Sequence, residues 1–481
     1  MAIRLTRREF VKHGTLTAAA LSLPFVCKRF AHAASEIDPA AIKKFGASLK
    51  GQLILPGDAD YDTARKVWNS RIDKHPALIA RCATTDDVRH CVEFTREKKV
   101  PMSVRSGGHS YAGHSSCDGG LIIDLSQMVS VKVDRNHKIA MVEPGIQAGR
   151  LDTVLSRDQL ATPVGQCPQV AIGGLALGGG EGILGPRWGA TCDNVLSAQL
   201  VTAEGEVLHA SAESHPDLFW AMRGAGANFA IATAISLRLH AVGECLAATI
   251  GFPRGKSYDA IRHLRDYFYK SPDDFYLQIS MSNESNASEL NAFVFSTRAD
   301  VAAARRMEPL TRFGNGGKLA IKRISYLEAQ RVGGGGDHRV AVNATIRDGF
   351  LEAMTDEYVA SIADELTPAG GFFGLFGQHG AITQRHHDFN AYPLRKVGFE
   401  AWIEAEWPSN TDGNPQIEWV ERLWAQTKPL ASGAYVNGLG DEGETWVRTA
   451  YGPNYHRLVA LKNKYDPTNF FRMNQNIKPT V

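Results

Sequence analysis

Two glycine-rich segments limit what this chain can fold into more than any other feature of its sequence. The first, Ser106-Gly107-Gly108-His109-Ser110, follows a predicted strand at Val100–Val104 and then Arg105. The second runs from Gly173 to Gly182. Glycine has no Cβ, so a glycine-rich turn after a strand lets backbone N–H groups converge on an anion. We expect the first segment to receive a pyrophosphate, with Arg105 as a candidate charge partner; a tight turn that needs positive φ is the alternative.

The second segment contains a match to the dinucleotide-binding pattern G-x-G-x-x-G. The match is Gly180-Glu181-Gly182-Ile183-Leu184-Gly185, and Glu204 stands near the position expected for a ribose contact. That pattern binds a dinucleotide when it follows a strand and opens a helix. Here other glycines precede it, and Pro186 and Trp188-Gly189 follow it, which does not predict a helix. We therefore do not expect a nicotinamide dinucleotide at this segment.

The order of predicted elements indicates an α+β protein built in parts. Up to about residue 242, short strands alternate with turns and with a helix that begins after the capping residue Thr84. Beyond that point glycine clusters are rarer, and helical stretches at Lys256–Tyr269, Val301–Phe313 and Phe350–Leu366 alternate with strands. We predict a first domain at residues 34–242, a substrate domain at 243–430, and a C-terminal segment at 431–481 that returns to the first domain.

The charge balance excludes one broad class of function. The 481 residues include 53 Lys+Arg and 51 Asp+Glu, which gives a formal net charge of +2. A nucleic-acid-binding protein needs a basic surface, and this composition does not supply one. We therefore expect a small-molecule substrate and no nucleic-acid partner.

The N-terminus has the pattern of an export signal. The pair Arg7-Arg8 precedes a short apolar run from Leu16 to Val26, and Ala31-His32-Ala33 resembles a cleavage site. The run is too short to span a bilayer, which needs about 20 apolar residues. We expect residues 1–33 to be a twin-arginine signal peptide that engages the export machinery, and the mature protein to be periplasmic or extracellular without a stable membrane anchor.

The cysteine and histidine residues do not predict a metal site. No C-x-x-C pair is present among the cysteines, so a zinc site is not expected. Cys82 and Cys91 are close enough in sequence to be a disulfide, a question that the sequence leaves open. The cluster His386-His387-Asp388 with His379 fits no common metal motif, and a solvated polar turn is the preferred interpretation.

Several motifs together resemble those of the berberine bridge enzyme-like flavin oxidases, a branch of the vanillyl-alcohol oxidase superfamily. They are Arg105-Ser106-Gly107-Gly108-His109, Cys167-Pro168-Gln169-Val170 with Gly173-Gly174, Phe219-Trp220-Ala221-Met222-Arg223-Gly224, and Tyr465-Asp466-Pro467-Thr468-Asn469-Phe470-Phe471-Arg472 with Asn474-Gln475-Asn476-Ile477. The resemblance extends from about Ala77 to Pro479, with the motifs in the family order. It implies a two-part FAD-binding domain of the p-cresol methylhydroxylase type and a substrate domain with an antiparallel sheet.

The same resemblance implies a flavin attached by two covalent bonds. His109 would bond the 8α-methyl group of FAD, and Cys167 would bond its C6 atom. Two tethers hold the ring while the cleft stays wide, so a bulky substrate can enter. The other residues that the resemblance places against FAD are Arg105, Ser106, Gly107, Gly108, Ser110, Val170, Gly173, Gly174, Gly178, Gly182, Ile231 and Asn474.

The resemblance also assigns catalytic groups. Tyr435, in Tyr435-Val436-Asn437, would be the general base and Tyr111 would contact the substrate; for both, a structural core tyrosine is the alternative. A phenol has an ordinary pKa of about 10, so a base role needs a group that lowers it, and Asn437 and Arg395 are candidates. Val170 corresponds to the position that faces oxygen attack, where a valine leaves room for O2.

These observations predict an exported FAD-linked oxidase. It would remove hydride from a C–H bond of an alcohol or amine and reduce O2 to H2O2. An oligosaccharide (aldose) oxidase, or a flavin dehydrogenase with another electron acceptor, is the alternative. Two further classes of protein are alternatives, namely a nicotinamide dehydrogenase and a secreted binding protein without enzymatic activity. The colour of the purified protein distinguishes both from an FAD-linked oxidase.

Overall fold

The computed structural model describes residues 37–283, 289–311, 321–333 and 342–481. The predicted signal peptide at residues 1–33 lies outside the described residues, and so do residues 334–336 of the Gly333–Gly336 run. Within the described parts, none of the helices is both long and apolar enough to cross a membrane.

The bounds of the α-helices and strands in the described residues are as follows. The helices are α1 Pro39–Ser48, α2 Tyr61–Ala64, α3 Thr85–Lys98, α4 Ala148–Ser156, α5 Ile172–Gly178, α6 Gly185–Trp188, α7 Pro216–Ala225, α8 Ser257–Phe268, α9 Val301–Thr311, α10 Tyr326–Gly333, α11 Asp356–Ile362, α12 Asn414–Thr427, α13 Glu444–Tyr451 and α14 Tyr455–Tyr465. The strands are β1 Gln52–Ile54, β2 Leu78–Arg81, β3 Met102–Arg105, β4 Leu121–Asp124, β5 Val131–Asp134, β6 Ile139–Val142, β7 Leu160–Ala161, β8 Val195–Val201, β9 Val207–Ser211, β10 Ile231–Arg238, β11 His240–Ala241, β12 Cys245–Phe252, β13 Phe275–Ser282, β14 Glu289–Ser296, β15 Lys322–Ile324, β16 Val342–Leu351, β17 Gly371–Gly377 and β18 Phe399–Pro408.

The first glycine-rich segment lies between two strands of a four-stranded sheet. Its strand order is β1-β2-β4-β3, with β2, β4 and β3 parallel and β1 antiparallel at the edge. Helix α3 crosses from β2 to β3 and begins with a capping box, in which the Thr84 side chain accepts from the Asp87 N–H and the Asp87 carboxylate accepts from the Thr84 N–H. The carboxyl ends of β3 and β4 therefore lie together, and the segment after β3 starts at that edge.

A second, five-stranded sheet is antiparallel and has the order β5-β6-β10-β8-β9. Helices α5, α7 and α14 lie with it in one apolar core that contains Leu218, Ile235 and Leu458. The C-terminal helix α14 thus packs on the same core as strands encoded more than 200 residues earlier.

The third large sheet is antiparallel, with seven strands in the order β15-β12-β14-β13-β17-β18-β16. One of its faces packs on α8, α11 and α12 in a core that includes Phe399, Ala401, Ile403 and Ala405 of β18. The intervening residues of β18 lie on the opposite face, because successive side chains of a strand alternate. That opposite face forms a wall of the cavity described below.

The observed elements are α+β, as the sequence predicted. The predicted strand at Val100–Val104 corresponds to β3, and the predicted helix Lys256–Tyr269 corresponds to α8. The described part of the predicted helix Val301–Phe313 is α9. The domain boundaries at 242 and 430 stay predictions.

Two local expectations were wrong. The predicted helix at Phe350–Leu366 is instead the end of strand β16, Phe350 and Leu351, followed by the shorter helix α11. The apolar residues of this stretch are buried both before and after the turn that separates the strand from the helix. A helical spacing of apolar residues in the sequence therefore does not reveal where the strand ends. Pro186-Arg187-Trp188 was not expected to be helical, yet Gly185–Trp188 forms one helical turn. Proline is tolerated there because it lies in the first turn, where its missing N–H would have no partner.

Candidate active site

A large cavity collects nearly all the residues that the sequence singled out. Its volume is about 1370 Å³, and its walls come from the segment after β3, from the second glycine-rich segment, from the seven-stranded sheet and from the C-terminal residues. The predicted site residues that line it are Ser106, Gly107, Gly108, His109, Ser110, Tyr111, Cys167, Val170, Gly173, Gly174, Gly178, Gly182, Ile231, Tyr435 and Asn474.

Arg105 is the one predicted site residue that does not line the cavity. The structure does not show it in the expected role of charge partner for a pyrophosphate. Its guanidinium is buried, and Nη2 lies 2.7 Å from Oδ2 of Asp124, the last residue of β4. Nη1 donates to the Lys66 carbonyl at 3.3 Å. Parallel pairing of β3 with β4 sets Arg105 opposite Asp124, so the charge is neutralised inside the sheet instead of facing the cavity.

Glycine is required in the first segment by close approach and by backbone conformation. A Cβ on Gly107 would lie 2.9 Å from the backbone nitrogen and from Cβ of Ala171, so the segment could not pack on the start of α5. Gly108 has φ of +75°, a conformation that a residue with Cβ seldom adopts. The backbone can therefore approach a ligand closely here.

His109 is held by an aromatic group that sequence analysis missed. The Trp68 ring stacks on the imidazole, with a centroid distance of 5.5 Å and an interplanar angle of 17°. Tyr111 meets Trp68 edge-on at 5.2 Å and Trp402 at 5.8 Å. Its hydroxyl donates to Oε1 of Glu404 at 2.9 Å, and this contact connects the segment after β3 to strand β18.

Cys167 and Val170 lie on the cavity wall just before α5. Cys167 is half-buried, with no disulfide, and its Sγ lies 3.5 Å from Oε1 of Gln169. The neighbouring Gln166 is fixed by the seven-stranded sheet, since it accepts from the Tyr276 hydroxyl at 2.9 Å and donates to Gln278 at 3.1 Å. The thiol therefore has a defined place within the cavity, which His109 also lines.

Tyr435 is buried, and its oxygen accepts two hydrogen bonds. The N–H of Gly180 donates to it at 2.6 Å, and Nδ2 of Asn437 donates at 3.0 Å. Burial, and then the nearby Glu181 carboxylate, raise the pKa of Tyr435 well above its ordinary value, while the two donors oppose that rise. The phenol is therefore protonated near neutrality in this environment.

One of the two groups proposed to lower that pKa has the expected contact and the other does not. Asn437 bonds the phenol oxygen directly. The Arg395 guanidinium instead pairs with Asp193 at 2.6 Å and lies over the ring of Tyr392, at 4.6 Å from its centroid. The expectation for Arg395 was wrong because its charge is already matched by a buried carboxylate.

Strand β18 supplies a stripe of acids that sequence analysis did not single out as a site, together with Trp402, whose ring the sequence suggested for stacking on a sugar or for packing. Glu400, Trp402, Glu404 and Glu406 alternate along it and all line the cavity. Nε1 of Trp402 donates to Oε2 of Glu404 at 2.9 Å. The signal was available, since four polar or amphipathic residues at every second position of a predicted strand indicate one functional face.

The cavity suits a large dinucleotide on two structural grounds. In the part of the chain that is described, Oγ of Ser115 and Oδ1 of Asn474 are buried without a hydrogen-bond partner, and both residues line the cavity. Buried polar groups in native proteins usually have a partner, so a ligand with polar groups is expected beside them. A Cβ on Gly174 would meet no atom within 4 Å, so the backbone there faces open space. These residues fit FAD.

The histidine cluster that the sequence analysis considered as a metal site does not form one in the described part of the chain. His386 bonds Asp388 through Nδ1 at 2.5 Å, on an exposed turn. No group of three or more His, Cys, Asp or Glu residues with metal-binding geometry occurs among the described residues.

Comparison with known proteins identifies the class to which this fold and site belong. A family model described as an FAD binding domain matches residues 76–211, and a model described as berberine and berberine-like matches residues 434–478. The two matched regions contain the segments with His109, Cys167 and Tyr435. The chain belongs to the berberine bridge enzyme-like FAD-linked oxidoreductases.

Individual relatives support this membership. The chain is 31% identical to (R)-6-hydroxynicotine oxidase of Paenarthrobacter nicotinovorans, over 90% of this chain and 97% of that protein. It is 26% identical to the chitooligosaccharide oxidase of Gibberella zeae, over 89% of this chain and 93% of that protein. The crystal structure of 6-hydroxy-D-nicotine oxidase from Arthrobacter nicotinovorans superposes with a TM-score of 0.81 and 29% identity, covering 90% and 98% of the two chains. The predicted fold, with an FAD-binding part of the p-cresol methylhydroxylase type, is confirmed.

Proposed function

We propose that this FAD-linked oxidoreductase is an exported oxidase that carries its flavin on His109 and Cys167 and oxidises an alcohol or amine. The observation that supports it is that the imidazole and the thiol, 58 positions apart in the sequence, line one cavity together with Tyr435 and Tyr111. When bound, FAD would supply the acceptor for a hydride from carbon and the route by which O2 becomes H2O2.

The two attachment residues are supported by their surroundings. Trp68 stacks on the imidazole of His109 and fixes the plane of the ring. Cys167 has no disulfide partner and is half-buried at the cavity, so its sulfur is available for a bond to the cofactor. Two attachments on separate walls would hold the cofactor while the cavity keeps room for the substrate.

Tyr435 is the group that would take the substrate proton. Its oxygen already accepts from Gly180 and Asn437, and both donors stabilise the charge that develops on oxygen as the phenol loses its proton. Tyr111, held by Glu404, and Trp402 form the adjoining wall and would orient the substrate. Val170 lines the same cavity and would leave space for O2.

Two kinds of substrate are consistent with the relatives. One relative is named for 6-hydroxynicotine and others are named for oligosaccharides. Aromatic side chains along the cavity, among them Trp68, Trp402 and Trp407, suit stacking on either a heteroaromatic ring or a sugar. An oligosaccharide oxidase therefore stays the second candidate, and a flavin dehydrogenase with another electron acceptor the third.

The attachment is tested by a peptide digest of the purified holoprotein. We expect the peptides containing His109 and Cys167 to carry the mass of one FAD, and the acid-precipitated protein to stay yellow. In His109→Ala the flavin should remain attached through Cys167, and the double variant with Cys167→Ala should lose its colour on acid precipitation. Recovery of both wild-type peptides without added mass would disprove the covalent part of the proposal.

The reaction is tested by a peroxide-coupled screen of sugars, alcohols and amines with the holoprotein under air. We expect one of these classes to give H2O2 in stoichiometric amount with substrate oxidised. If substrates reduce the flavin and dyes reoxidise it far faster than air does, the dehydrogenase alternative is correct instead. Export is tested separately, by replacing Arg7-Arg8 with Lys-Lys and measuring where the protein accumulates.

A further inference from the structure

Two glutamates that the proposed reaction does not use meet in the cavity wall close to Tyr435. Glu181 belongs to the second glycine-rich segment, and Glu400 lies at the start of the acidic stripe of β18. Both line the cavity, and Glu400 is only 4% exposed. They come from different structural parts, so the fold and not local sequence brings them together.

The two carboxyl groups differ in their hydrogen bonds, because Glu181 has two donors and one oxygen of Glu400 has none. Glu181 accepts from the Tyr392 hydroxyl through Oε1 and from Nε2 of Gln378 through Oε2, both at 2.5 Å. In the described part of the chain, Oε1 of Glu400 is buried without a hydrogen-bond partner, and each of the two carboxyl groups acts on the pKa of the other. Two ionised carboxylates have only acceptors, so a proton held by the pair would supply the missing donor.

The surrounding charges act in the same direction. Burial raises the pKa of Glu181 to about 7, and burial together with Glu181 raises the pKa of Glu400 well above its ordinary value. Arg395 is the one cation near Glu181 among the described contacts, and Asp193 already neutralises it. The other titratable groups that face the pair are Asp348, Tyr276, Tyr392, Tyr435 and Cys192.

The backbone of residues 179–181 connects Tyr435 to the Glu181–Glu400 pair. The Gly180 N–H that donates to the Tyr435 oxygen belongs to the residue before Glu181. A Cβ on Gly179 would lie 2.8 Å from the Tyr392 ring and 3.0 Å from the Tyr435 ring, so this backbone is enclosed between the two tyrosines. Because the Tyr435 oxygen accepts from Gly180 and Asn437, its own proton is directed away from these two donors, and Tyr435 lines the same cavity as Glu181 and Glu400.

We propose that Glu181 and Glu400 hold one proton in the resting enzyme and accept a second one from Tyr435 during each turnover. This inference rests on the proposed function. The substrate O–H or N–H bond breaks and its proton goes to the Tyr435 oxygen, while the original Tyr435 proton passes to the pair, which becomes neutral. The two electrons of the substrate C–H bond would leave with the hydride that bound FAD would accept, so the pair changes only its protonation. Its second proton would be given up when O2 is reduced to H2O2, because a hydride and O2 need one proton to form H2O2. Glu181 and Glu400 are thus positioning residues that act through Tyr435.

The shared proton is tested without any substrate, by infrared titration of the oxidised holoenzyme. We expect wild type to show the carbonyl stretching band of a protonated carboxyl at pH 7. In Glu181→Gln and in Glu400→Gln the band should change its frequency and its pH dependence, because the remaining carboxyl stays buried but no longer shares its proton with a second carboxyl group. Glu442→Gln is the matched control. Its carboxyl also has a pKa raised to about 7 by burial, yet it does not line the cavity, so only a separate band should change.

The proton transfer is tested by anaerobic stopped-flow reduction of the flavin with the best substrate from the peroxide screen. Glu181→Gln and Glu400→Gln should each slow reduction by about 10²-fold and remove the inflection near pH 7 from its pH profile, whereas Glu442→Gln should keep both. An unchanged infrared band in both variants would overturn the shared proton. A reduction rate within twofold of wild type with the inflection retained would overturn the relay, even where the FAD-linked oxidase activity itself is established.

Discussion

At the scale of single residues, the site depends on what surrounds one phenol. Tyr435 is buried, is close to the Glu181 carboxylate and accepts from Gly180 and Asn437. The first two features keep the phenol protonated, and the two donors reduce the cost of ionising it. A tyrosine in this setting can pass a proton on at the moment of reaction without being ionised beforehand.

Removal of that hydroxyl gives the first prediction. Tyr435→Phe should slow flavin reduction by the substrate by about 10²–10⁴-fold, because the group that takes the substrate proton is lost. The absorbance spectrum of the bound flavin should stay as in wild type, since the phenyl ring still fills the same space. Stopped-flow reduction measures the rate, and a change of less than about twofold would exclude Tyr435 from the role.

The second prediction concerns O2. Val170 lines the cavity and is half-buried, so a larger side chain there would fill space beside the cofactor. Val170→Leu should slow reoxidation of the reduced enzyme by O2, while reduction by substrate stays within about twofold. The two half-reactions are followed separately under anaerobic conditions and after mixing with air. Equal reoxidation rates in Val170→Leu and wild type would refute a gating role.

Sequence reasoning succeeded for residues that are marked by motifs and failed for residues that are brought in by folding. His109, Cys167 and Tyr435 were predicted because each lies in a recognisable motif, and all three line one cavity. Glu181 was noticed only as part of a rejected dinucleotide pattern, and Trp68, Tyr392 and Glu400 were not considered as site residues. Their proximity results from strand pairing and loop packing across hundreds of residues, which no local pattern encodes.

At the scale of elements, helix α5 connects backbone geometry to the chemistry of Tyr435. A Cβ on Gly178, the last residue of the helix, would lie 2.0 Å from Oδ1 of Asn437. The side chain that bonds the Tyr435 oxygen therefore packs directly on the glycine. The requirement for glycine here comes from this contact, since Gly178 is absent from the positions with positive φ.

That contact gives a third prediction. Gly178→Ala should displace the Asn437 carboxamide and slow flavin reduction by about tenfold, the effect of one hydrogen bond to a developing negative charge. Asn437→Ala should cause a loss of similar size. The double variant should be no slower than the slower single variant, because both act through the same bond. Multiplicative losses in the double variant would show that the two residues act independently.

The difference between predicted and observed elements has a physical explanation. Helix α3 was located correctly because Thr84 provides a local capping signal. The stretch Phe350–Leu366 was misassigned because Phe350, Leu351, Tyr358 and Val359 are all buried, and burial from both sides hides the change from a strand to a helix. The spacing of apolar residues identifies a helix or a strand reliably only when one face of that element is exposed.

At the scale of the whole molecule, a buried ion pair joins the C-terminal residues to the FAD-binding part. Nζ of Lys462 lies 2.7 Å from Oδ2 of Asp466, and both side chains have no exposed surface. The same ammonium donates to the carbonyls of Asn228 at 2.7 Å and Phe471 at 2.9 Å. Burial lowers the pKa of Lys462, and the Asp466 carboxylate opposes that fall.

The fourth prediction follows from that arrangement. Lys462→Met should lower the free energy of unfolding by about 3–5 kcal/mol, because the Asp466 carboxylate would be left buried without its cation. Chemical denaturation of the holoprotein measures the change. Arg448→Met, which removes an ion pair with Glu444 at an exposed position, is the control and should leave the unfolding midpoint unchanged. Equal midpoints for Lys462→Met and wild type would contradict the assignment.

The distribution of the cavity walls along the chain has a consequence for biosynthesis. Tyr435, Phe471 and Asn474 come more than 300 residues after Ser106 and His109, yet all of them line one chamber. A nascent chain that has been synthesised only as far as His109 has therefore made an open, incomplete receptacle. Cofactor capture must wait until Phe471 and Asn474 have been synthesised, and deletion of residues 470–481 should abolish flavin loading even though every attachment residue is still present.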